Sequence, residues 1–333
     1  MTFFFGPVNS RRLGRSLGLD ILPSKICSMD CLYCEVGRSP STTCERREYI
    51  PVAQIHAAID TLAKEKNATG WDGVDVVTVT ASGEPTLHSA LGEIIAHLKE
   101  AVPRPIALLT NGSLCHLPEV RNELSACDIL VPSLDAATEH SFQAINRPDR
   151  NIDLDRLIGG LTDLSREYSG TFLLEILVAD AINDSAEEMA ALAQAIKKIN
   201  PTRLQLHTVS RPPAYSTIKP VSNQRLQELD LFFNTILPGK VDCFLRADTH
   251  KKKPHKKSEA GKPTKEEILK LLQRRPSTAQ DIAYGMSVSL DAVQSALQEL
   301  LKTHDIYSRK RGKETFFSIH EINRSRRDGP TPT

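Results

Sequence analysis

The sequence predicts an α/β fold, namely a partial (β/α)6 barrel of the TIM type followed by a C-terminal winged-helix domain. Short apolar runs alternate with amphipathic helical patterns over residues 16–245. A segment rich in Lys, Pro and Gly interrupts this alternation at residues 251–263. Three further helical patterns and two short strand-like runs follow that segment. These observations predict one large domain and one small domain.

Six apolar runs are predicted to be the strands of the barrel. Their nearly continuous apolar character is typical of parallel strands that are covered on both faces. They span residues 17–22, 74–80, 105–111, 128–135, 171–178 and 203–209. In a parallel barrel the ligand-binding side chains lie at the carboxyl ends of the strands, so polar residues at those positions are the candidates for function.

Amphipathic stretches between the strands are predicted to be helices. Two of them follow a serine, Ser89 in one case and Ser185 in the other. A serine at this position caps a helix because its side-chain oxygen accepts a hydrogen bond from a free amide of the first turn. Both serines are therefore predicted to be N-caps.

The chain is predicted to divide into four segments. They are a barrel domain (1–250), a basic linker (251–263), a winged helix-turn-helix domain (264–322) and a disordered tail (323–333). Capping signals predict three helices in the winged-helix domain, and they are Thr264 with Glu267, Ser277 with Gln280, and Ser289. Strands at 306–308 and 315–319 are predicted to form a hairpin around a basic turn.

Composition places the chain among ordinary globular proteins. It has 333 residues, a formal net charge of +1, 40% hydrophobic residues and 25% charged residues. No apolar stretch approaches the roughly 20 residues that cross a bilayer, and the N-terminus does not resemble a secretory signal. We therefore expect a cytoplasmic protein without a membrane partner. Its seven cysteines are an odd number, which indicates reduced thiols rather than a disulfide framework.

Three cysteines are concentrated in the stretch KICSMDCLYCEVG. Cys27, Cys31 and Cys34 form a C-x3-C-x2-C pattern directly after the first predicted strand. Three soft thiolates on one loop suit an iron-sulfur cubane that leaves one iron open to a ligand. A zinc site completed by Cys44, ten residues further on, is the alternative.

This pattern in this position resembles the signature of the radical S-adenosylmethionine (SAM) superfamily. The resemblance implies a [4Fe-4S] cluster on Cys27, Cys31 and Cys34, with SAM chelated at the open iron. It also implies an external electron donor of the flavodoxin or ferredoxin type. Reductive cleavage of SAM would then give a 5′-deoxyadenosyl radical that abstracts hydrogen from a substrate.

The same resemblance implies SAM contacts at the strand ends. SGEPTL, residues 82–87, resembles the glycine-glutamate motif of the family, with a serine in place of the more usual first glycine. The predicted SAM contacts are Tyr33, Ser82, Gly83, Glu84, Pro85, Asn111, Ser133 and Asp135. The alternative interpretation is that these residues are ordinary turn and helix-cap residues.

Polar residues that interrupt apolar strands are the candidates for substrate contact. Glu175 lies in FLLEILV and His207 in LQLHTV, and a charged or imidazole side chain in such a strand is costly unless it is paired. Arg211 follows the sixth strand and is predicted to bind an anionic group or the SAM carboxylate. A structural pair between Glu175 and His207 remains the alternative.

The N-terminal stretch narrows the family resemblance. GPVNS together with Arg11, Arg12 and Arg15 resembles the start of wyosine-synthetase-like Fe-S oxidoreductases, and this implies a tRNA purine as substrate. A protein side chain or a small metabolite is the alternative substrate, and a solvated loop is the alternative role of the arginines. The other cysteines, Cys44, Cys115, Cys127 and Cys243, are scattered and do not predict a second cluster.

The winged-helix domain suggests a macromolecular partner. Its basic turn offers contacts to nucleic acid or to a partner protein through Arg309, Lys310, Arg311 and Lys313. The third helix, whose predicted exposed face carries Asp291 and Glu299, is poorly suited to reading DNA. Two rival functions are a transcription regulator that responds to redox state or SAM, and a maturase that docks on a partner enzyme.

Overall fold

The computed structural model describes residues 3–245, 263–312 and 314–319. Its main element is an eight-stranded sheet, β1 to β8, whose strands lie in chain order. The first two strands pair antiparallel, and every later neighbouring pair is parallel. The strands are β1 Phe4–Ser10, β2 Gly14–Asp20, β3 Val76–Thr80, β4 Ile106–Thr110, β5 Ile129–Pro132, β6 Thr171–Val178, β7 Arg203–Thr208 and β8 Val241–Cys243.

Helices connect the parallel strands, as parallel pairing requires. The helices of this part of the chain are α1 Val52–Thr69, α2 Leu91–Ala101, α3 Pro118–Leu124, α4 Glu139–Ile145, α5 Leu154–Glu167, α6 Ala186–Ile199 and α7 Asn223–Asn234. Two helices, α4 and α5, separate β5 from β6, and one helix separates each of the other parallel pairs. The predicted α/β fold with a parallel sheet is therefore confirmed.

The large core lies between the sheet and these helices. Its best-packed face is formed by α2, which places Leu91, Ile94, Ile95 and Leu98 against the sheet with none of them exposed. Burying one such side chain contributes roughly 1.5–3 kcal/mol. The repeated apolar positions of the sequence thus become the contact between helix and sheet.

Each of the six predicted strands is present, and two further strands were not predicted. In β1 the sequence FFGPVNS contains Gly and Pro, and a bulge between Phe5 and Val8 accommodates them at the edge of the sheet. The other, β8, is only three residues long and carries a charged residue. Neither segment has the continuous apolar character that identifies the buried strands.

The capping predictions are partly confirmed. The side chains of Ser185 and Ser289 cap α6 and the helix that follows residue 289, and Thr264 with Glu267 forms a capping box. The prediction for Ser89 is wrong, because Ala90 precedes α2 without a side-chain cap. The prediction of a box from Ser277 is also wrong, because the neighbouring Thr278 accepts from the amide of Asp281.

The C-terminal module, as we call residues 263–312 and 314–319, has three helices and a hairpin in the predicted order. Its three strands form a separate antiparallel sheet in which the middle strand in space is the last in sequence. The elements are α8 Lys265–Arg274, β9 Ser277–Thr278, α9 Ala279–Met286, α10 Leu290–Lys302, β10 Tyr307–Arg311 and β11 Glu314–Ser318. Most of the predicted linker and the whole predicted tail lie outside the described residues.

The C-terminal module packs on the edge strand β1. Val8 of β1 belongs to the same apolar cluster as Ile268, Ile282 and Leu297 of the module. Gly285 of α9 permits this contact, since a Cβ there would lie 2.5 Å from the carbonyl oxygen of Pro7. This docking brings the end of α8 over the carboxyl ends of the main-sheet strands, where the candidate site lies. In the described part of the chain no helix is long and apolar enough to cross a bilayer.

Candidate active site

A cavity of about 320 Å³ lies at the carboxyl ends of the main-sheet strands. Asp20 at the end of β2, Ser82 after β3 and Ser133 after β5 line it. The cysteine loop contributes to its wall, and the C-terminal module contributes Arg274. Most predicted site residues therefore meet at one place, although they are up to about 180 positions apart in the sequence.

Two of the three clustered cysteines have sulfurs that accept hydrogen bonds from amide side chains. Asn111 Nδ2 lies 3.7 Å from Cys27 Sγ, and Asn146 Nδ2 lies 3.5 Å from Cys31 Sγ. Burial raises the pKa of the Cys27 thiol to about 12, and it raises that of Cys31 as well. Hydrogen bonds donated to these sulfurs favour the charged thiolate form. Burial has the opposite effect and favours the neutral thiol.

A lysine supplies a positive charge to the third cysteine. Lys25 Nζ lies 2.9 Å from Cys34 Sγ. Burial lowers the pKa of Lys25, but negative charge on Cys34 and Cys27 outweighs this effect and the pKa is raised. Each of the three sulfurs thus has one hydrogen-bond donor, from Asn111, Asn146 or Lys25.

The donor set fits an iron-sulfur cluster. Three thiols on a partly buried loop need a compensating positive charge to ionise, and a bound metal core provides one. A structural zinc site normally has four protein ligands, and this loop supplies three. Cys44 is hydrogen-bonded to Asp149 instead of completing a four-cysteine group. Among the described residues no three or more Cys, His, Asp or Glu side chains already surround a common metal position. The fit therefore depends on the identity and position of the three thiols along one loop.

The cysteine loop is fixed by backbone contacts on both sides. The amide of Thr43 donates to the carbonyl of Cys27 at 3.0 Å, and the amide of Leu32 donates to that of Ile145 at 2.9 Å. Gly83 packs directly on the loop, because a Cβ at this glycine would lie 1.5 Å from the carbonyl oxygen of Ile26. The missing side chain of Gly83 therefore permits the segment after β3 to approach the cysteine loop closely.

Glu84 joins the ends of two strands. It is 2% exposed and accepts from Thr110 Oγ1 at 2.6 Å, from the Asn111 amide at 2.7 Å and from Thr86 Oγ1 at 2.7 Å. Burial raises the pKa of this carboxyl in spite of these bonds. Gly83, Glu84 and Pro85 are not among the residues that line the 320 Å³ cavity, whereas Ser82 is. Glu84 therefore holds the loops around the site in place.

Asp135 is the centre of a second buried network. Its carboxylate accepts from the Tyr33 hydroxyl, from Asn146 Nδ2 at 2.8 Å and from the amide of Leu177 at 2.9 Å. Burial raises the pKa of Asp135 and, together with the Asp135 charge, that of Tyr33. Tyr33, Ser133 and Asp135 line the cavity together, and Asn111 reaches only a smaller neighbouring one.

Glu175 and His207 form the pair that the sequence suggested, and an arginine completes a triad. His207 Nε2 lies 2.6 Å from Glu175 Oε1, and the Arg12 guanidinium contacts the same oxygen. Burial raises the pKa of Glu175, but Arg12 and then His207 outweigh it and hold the pKa well below its ordinary value. The triad lines the cavity with a paired, charged carboxylate.

Arg211 lies at the mouth of the cavity beside a residue that the sequence did not identify. Its Nη1 donates to Glu35 Oε1 at 3.1 Å. The pKa of Glu35 is lowered because Arg211 and Arg275 outweigh its burial. Glu35 follows Cys34 directly, and this adjacency was the one sequence signal for a role near the site.

Asp20 and two arginines of the C-terminal module are the other residues that sequence reasoning missed. Asp20 accepts from Ser82 Oγ at 2.6 Å and from Arg274 at 2.6 Å, and its side chain is 1% exposed. Arg275 lines the same cavity and donates to the carbonyl of Asn9 at 3.3 Å. A carboxylate that interrupts the apolar strand predicted at 17–22 was a signal for Asp20, but nothing local connects α8 to this site.

The basic turn of the module is mostly remote from the cavity. Arg309 and Lys310 are exposed on β10, and Lys313 lies outside the described residues. Arg311 Nη1 donates to the carbonyl of Arg211 and so ties the hairpin to the cavity mouth. Of the predicted partner contacts that the structure describes, Arg309 and Lys310 are thus exposed and Arg311 is half-buried.

Comparison with protein families and curated proteins gives consistent matches. Residues 21–193 match the model of the radical SAM superfamily. A UPF0026 protein of Methanocaldococcus jannaschii is 35% identical over 71% of this chain and 73% of its own length, and one of Helicobacter pylori is 35% identical over 83% and 85%. A GTPase Obg of Brachyspira hyodysenteriae is 33% identical over 90% of this chain, which spans 42% of that protein.

A solved structure shares the fold. A radical SAM methyltransferase from Sphaerobacter thermophilus superposes with a TM-score of 0.51 over 69% of this chain and 66% of its own. The two sequences are 15% identical over this region, so the likeness concerns the fold alone. It agrees with the parallel sheet described above.

Proposed function

The chain belongs to the radical SAM superfamily, and we propose that it is an enzyme that holds a [4Fe-4S] cluster on Cys27, Cys31 and Cys34. Such a cluster supplies, when bound, the electron that cleaves SAM into methionine and a 5′-deoxyadenosyl radical, which then abstracts hydrogen from substrate. The observation that carries this proposal is the set of three thiols on one loop beside a cavity, Cys27 buried and Cys31 and Cys34 half-buried, each with its own hydrogen-bond donor. An external donor of the flavodoxin or ferredoxin type would deliver the electron.

The SAM site would be formed by residues at the strand ends. Ser82, Ser133, Asp135 and Tyr33 line the cavity and are the proposed direct contacts. Gly83, Glu84, Pro85 and Asn111 would support them, because their contacts fix the loops that carry the direct contacts. Rigid support of this kind keeps reacting groups in position without reorganisation at each turnover.

The Glu175 triad would orient the substrate. Its carboxylate keeps the ring of His207 at the wall of the cavity, and Arg12 balances the carboxylate charge. Because imidazole donates and accepts hydrogen bonds near neutral pH, His207 is the proposed group that binds a polar part of the substrate. Glu175 and Arg12 act through it as positioning residues.

A tRNA purine is the proposed target, with a small metabolite or a protein side chain as the alternatives. The proposal follows the N-terminal resemblance to wyosine-synthetase-like proteins and the basic β10. It assigns residues 264–322 as a winged helix that contacts RNA or a protein. The third helix of the module, α10, exposes Asp291, Gln294 and Glu299, and this partly acidic face is poorly suited to nucleic acid. Contact through the basic hairpin is therefore proposed instead.

Quantification of 5′-deoxyadenosine tests the proposed reaction. The protein is purified and reconstituted without oxygen, reduced with dithionite and incubated with SAM in the presence and absence of bulk tRNA. Wild type and Cys44→Ala are expected to release 5′-deoxyadenosine, and Cys31→Ala is expected to release less than about one hundredth as much. Equal release from Cys31→Ala, or none from a reduced wild-type cluster, would contradict the proposal.

A further inference from the structure

Five arginines from three distant parts of the chain line the cavity. Two of them follow β1, one follows β7 and two lie at the end of α8, and they are Arg11, Arg12, Arg211, Arg274 and Arg275. Three of the five have carboxylate partners, through the pairs Arg12–Glu175, Arg211–Glu35 and Arg274–Asp20. The cluster therefore contains two more arginines than partnered carboxylates.

Arg11 and Arg275 are the two arginines without a salt bridge to any described residue. Arg11 lies over the ring of Phe244, with its guanidinium carbon 5.4 Å from the ring centre. Arg275 uses one nitrogen to donate to the carbonyl of Asn9, while its Nε is buried and has no acceptor. The Nε of Arg211 is likewise buried without an acceptor. Buried guanidinium donors without acceptors are unusual in a folded protein.

The surroundings make this charge excess costly. Burial and then the neighbouring Arg211 lower the pKa of Arg275 to about 10, and the same two causes lower the pKa of Arg11. Both groups stay protonated at neutral pH, so the repulsion among the three arginines persists. SAM does not relieve it, since its sulfonium and ammonium groups outnumber its carboxylate and give it a net positive charge.

We propose that Arg11, Arg211 and Arg275 form a binding subsite for a phosphate group of the substrate. A guanidinium presents paired donors that match phosphate oxygens, and a phosphate monoester carries two negative charges at neutral pH against the two unmatched arginines. Since Arg275 belongs to the C-terminal module, the module completes this subsite. The inference rests on the proposed function, because it concerns the substrate of the same cavity.

The phosphate is either the monoester of a free nucleotide, with two negative charges, or a phosphodiester of an RNA backbone, with one, and both present oxygens that guanidinium groups bind. Calorimetric titration of the full-length, cluster-reconstituted protein under anaerobic conditions distinguishes them. The probes are inorganic pyrophosphate, AMP, adenosine and bulk tRNA, each titrated with and without SAM. Pyrophosphate and AMP are expected to bind at least tenfold more tightly than adenosine. Tighter binding of tRNA than of AMP would indicate that the phosphate belongs to an RNA. Tighter binding of AMP than of tRNA would indicate a small-molecule substrate.

Variants test the assignment of the residues. Arg275→Gln and Arg11→Gln are each expected to weaken pyrophosphate binding at least tenfold. Arg275→Lys is expected to weaken it less, because it keeps the positive charge. Arg225→Gln, on the surface of α7, is the matched control and should bind as wild type does. Unchanged melting temperature and cluster absorbance show that the variants fold.

Three results would overturn the inference. They are equal affinities for AMP and adenosine, unchanged pyrophosphate binding in both glutamine variants, and displacement of pyrophosphate by SAM. The last would show that the arginines bind the SAM carboxylate. Binding is measured without turnover, whereas the proposed reaction is judged by 5′-deoxyadenosine release alone. Failure of the phosphate subsite can therefore be told apart from failure of the proposed reaction.

Discussion

Glu175 shows how one buried carboxylate can organise a site at the residue scale. It lies in the middle of β6, where an unpaired charge would be strongly unfavourable. Arg12 and His207 both contact it, so its folded-state pKa is lower than the pKa of an unfolded chain. A lowered carboxyl pKa stabilises the folded state above about pH 4.5, and this stabilisation is lost as the pH falls.

The Glu175→Gln variant is expected to show this linkage directly. At pH 7 it should be less stable than wild type by about 3 kcal/mol, because Arg12 is left buried without its partner. Between about pH 6 and 4.5 the difference in free energy of unfolding should stay constant, and from about pH 4.5 to 3 it should narrow as wild type loses part of the Glu175 contribution. Urea unfolding midpoints of wild type and variant across this pH range measure the difference in stability. Glu100→Gln, on the surface of α2, is the control. A difference that is constant with pH would contradict the account.

Several residues that were predicted from local pattern and position lie close together in the structure. The cysteine pattern, and polar residues at strand ends such as Ser82 and Asp135, could be identified from sequence, and the structure brings them together around one cavity. The partner of a residue could be predicted less well. Nothing near Arg275 in the sequence indicates that it reaches Asn9, since that contact depends on how two separate cores pack.

At the scale of elements, α5 shows how adjacent glycines can have different roles. A Cβ at Gly160 would lie 2.3 Å from the amide nitrogen of His116, in the segment that follows β4. A Cβ at Gly159 would meet nothing within 4 Å. The first glycine therefore permits close packing of α5 on that segment, whereas the second only weakens the helix.

The variants Gly160→Ala and Gly159→Ala form a matched pair. Gly160→Ala is expected to destabilise the protein by about 1–3 kcal/mol, since the backbone of His116 must move. Gly159→Ala is expected to stabilise it by about 0.5–1 kcal/mol through helix propensity. Denaturant midpoints of the two purified variants test this. If both variants were stabilised, or both destabilised, the close approach of Gly160 to His116 would not explain the change in stability.

Elements were predicted well where they are long and periodic. Buried strands and amphipathic helices give repeated signals over many residues, so six strands and the main helices were identified. Cap positions depend on single residues, and here Thr278 rather than Ser277 begins α9. A strand such as β8, with three half-buried residues, has too few positions to produce a pattern.

At the scale of the whole molecule, the main sheet and the C-terminal module act as two parts of one site. The module has its own apolar core, and that core includes Val8 of the first strand. Packing on β1 directs Arg274 and Arg275 into the cavity that the cysteine loop borders. The parallel sheet could be predicted from the sequence, and so could the order of helices and hairpin in the C-terminal module. Their docking could not, because surface complementarity leaves no periodic signal.

The central claim, that three cysteines hold a cluster with one iron open to SAM, is tested most directly by electron paramagnetic resonance. The reconstituted protein should contain about four irons per chain. After reduction with dithionite it should give a [4Fe-4S] signal that changes when SAM is added, while Cys31→Ala should give no such signal and Cys44→Ala should behave as wild type. A cluster signal that is insensitive to SAM, or one that survives in Cys31→Ala, would contradict the account.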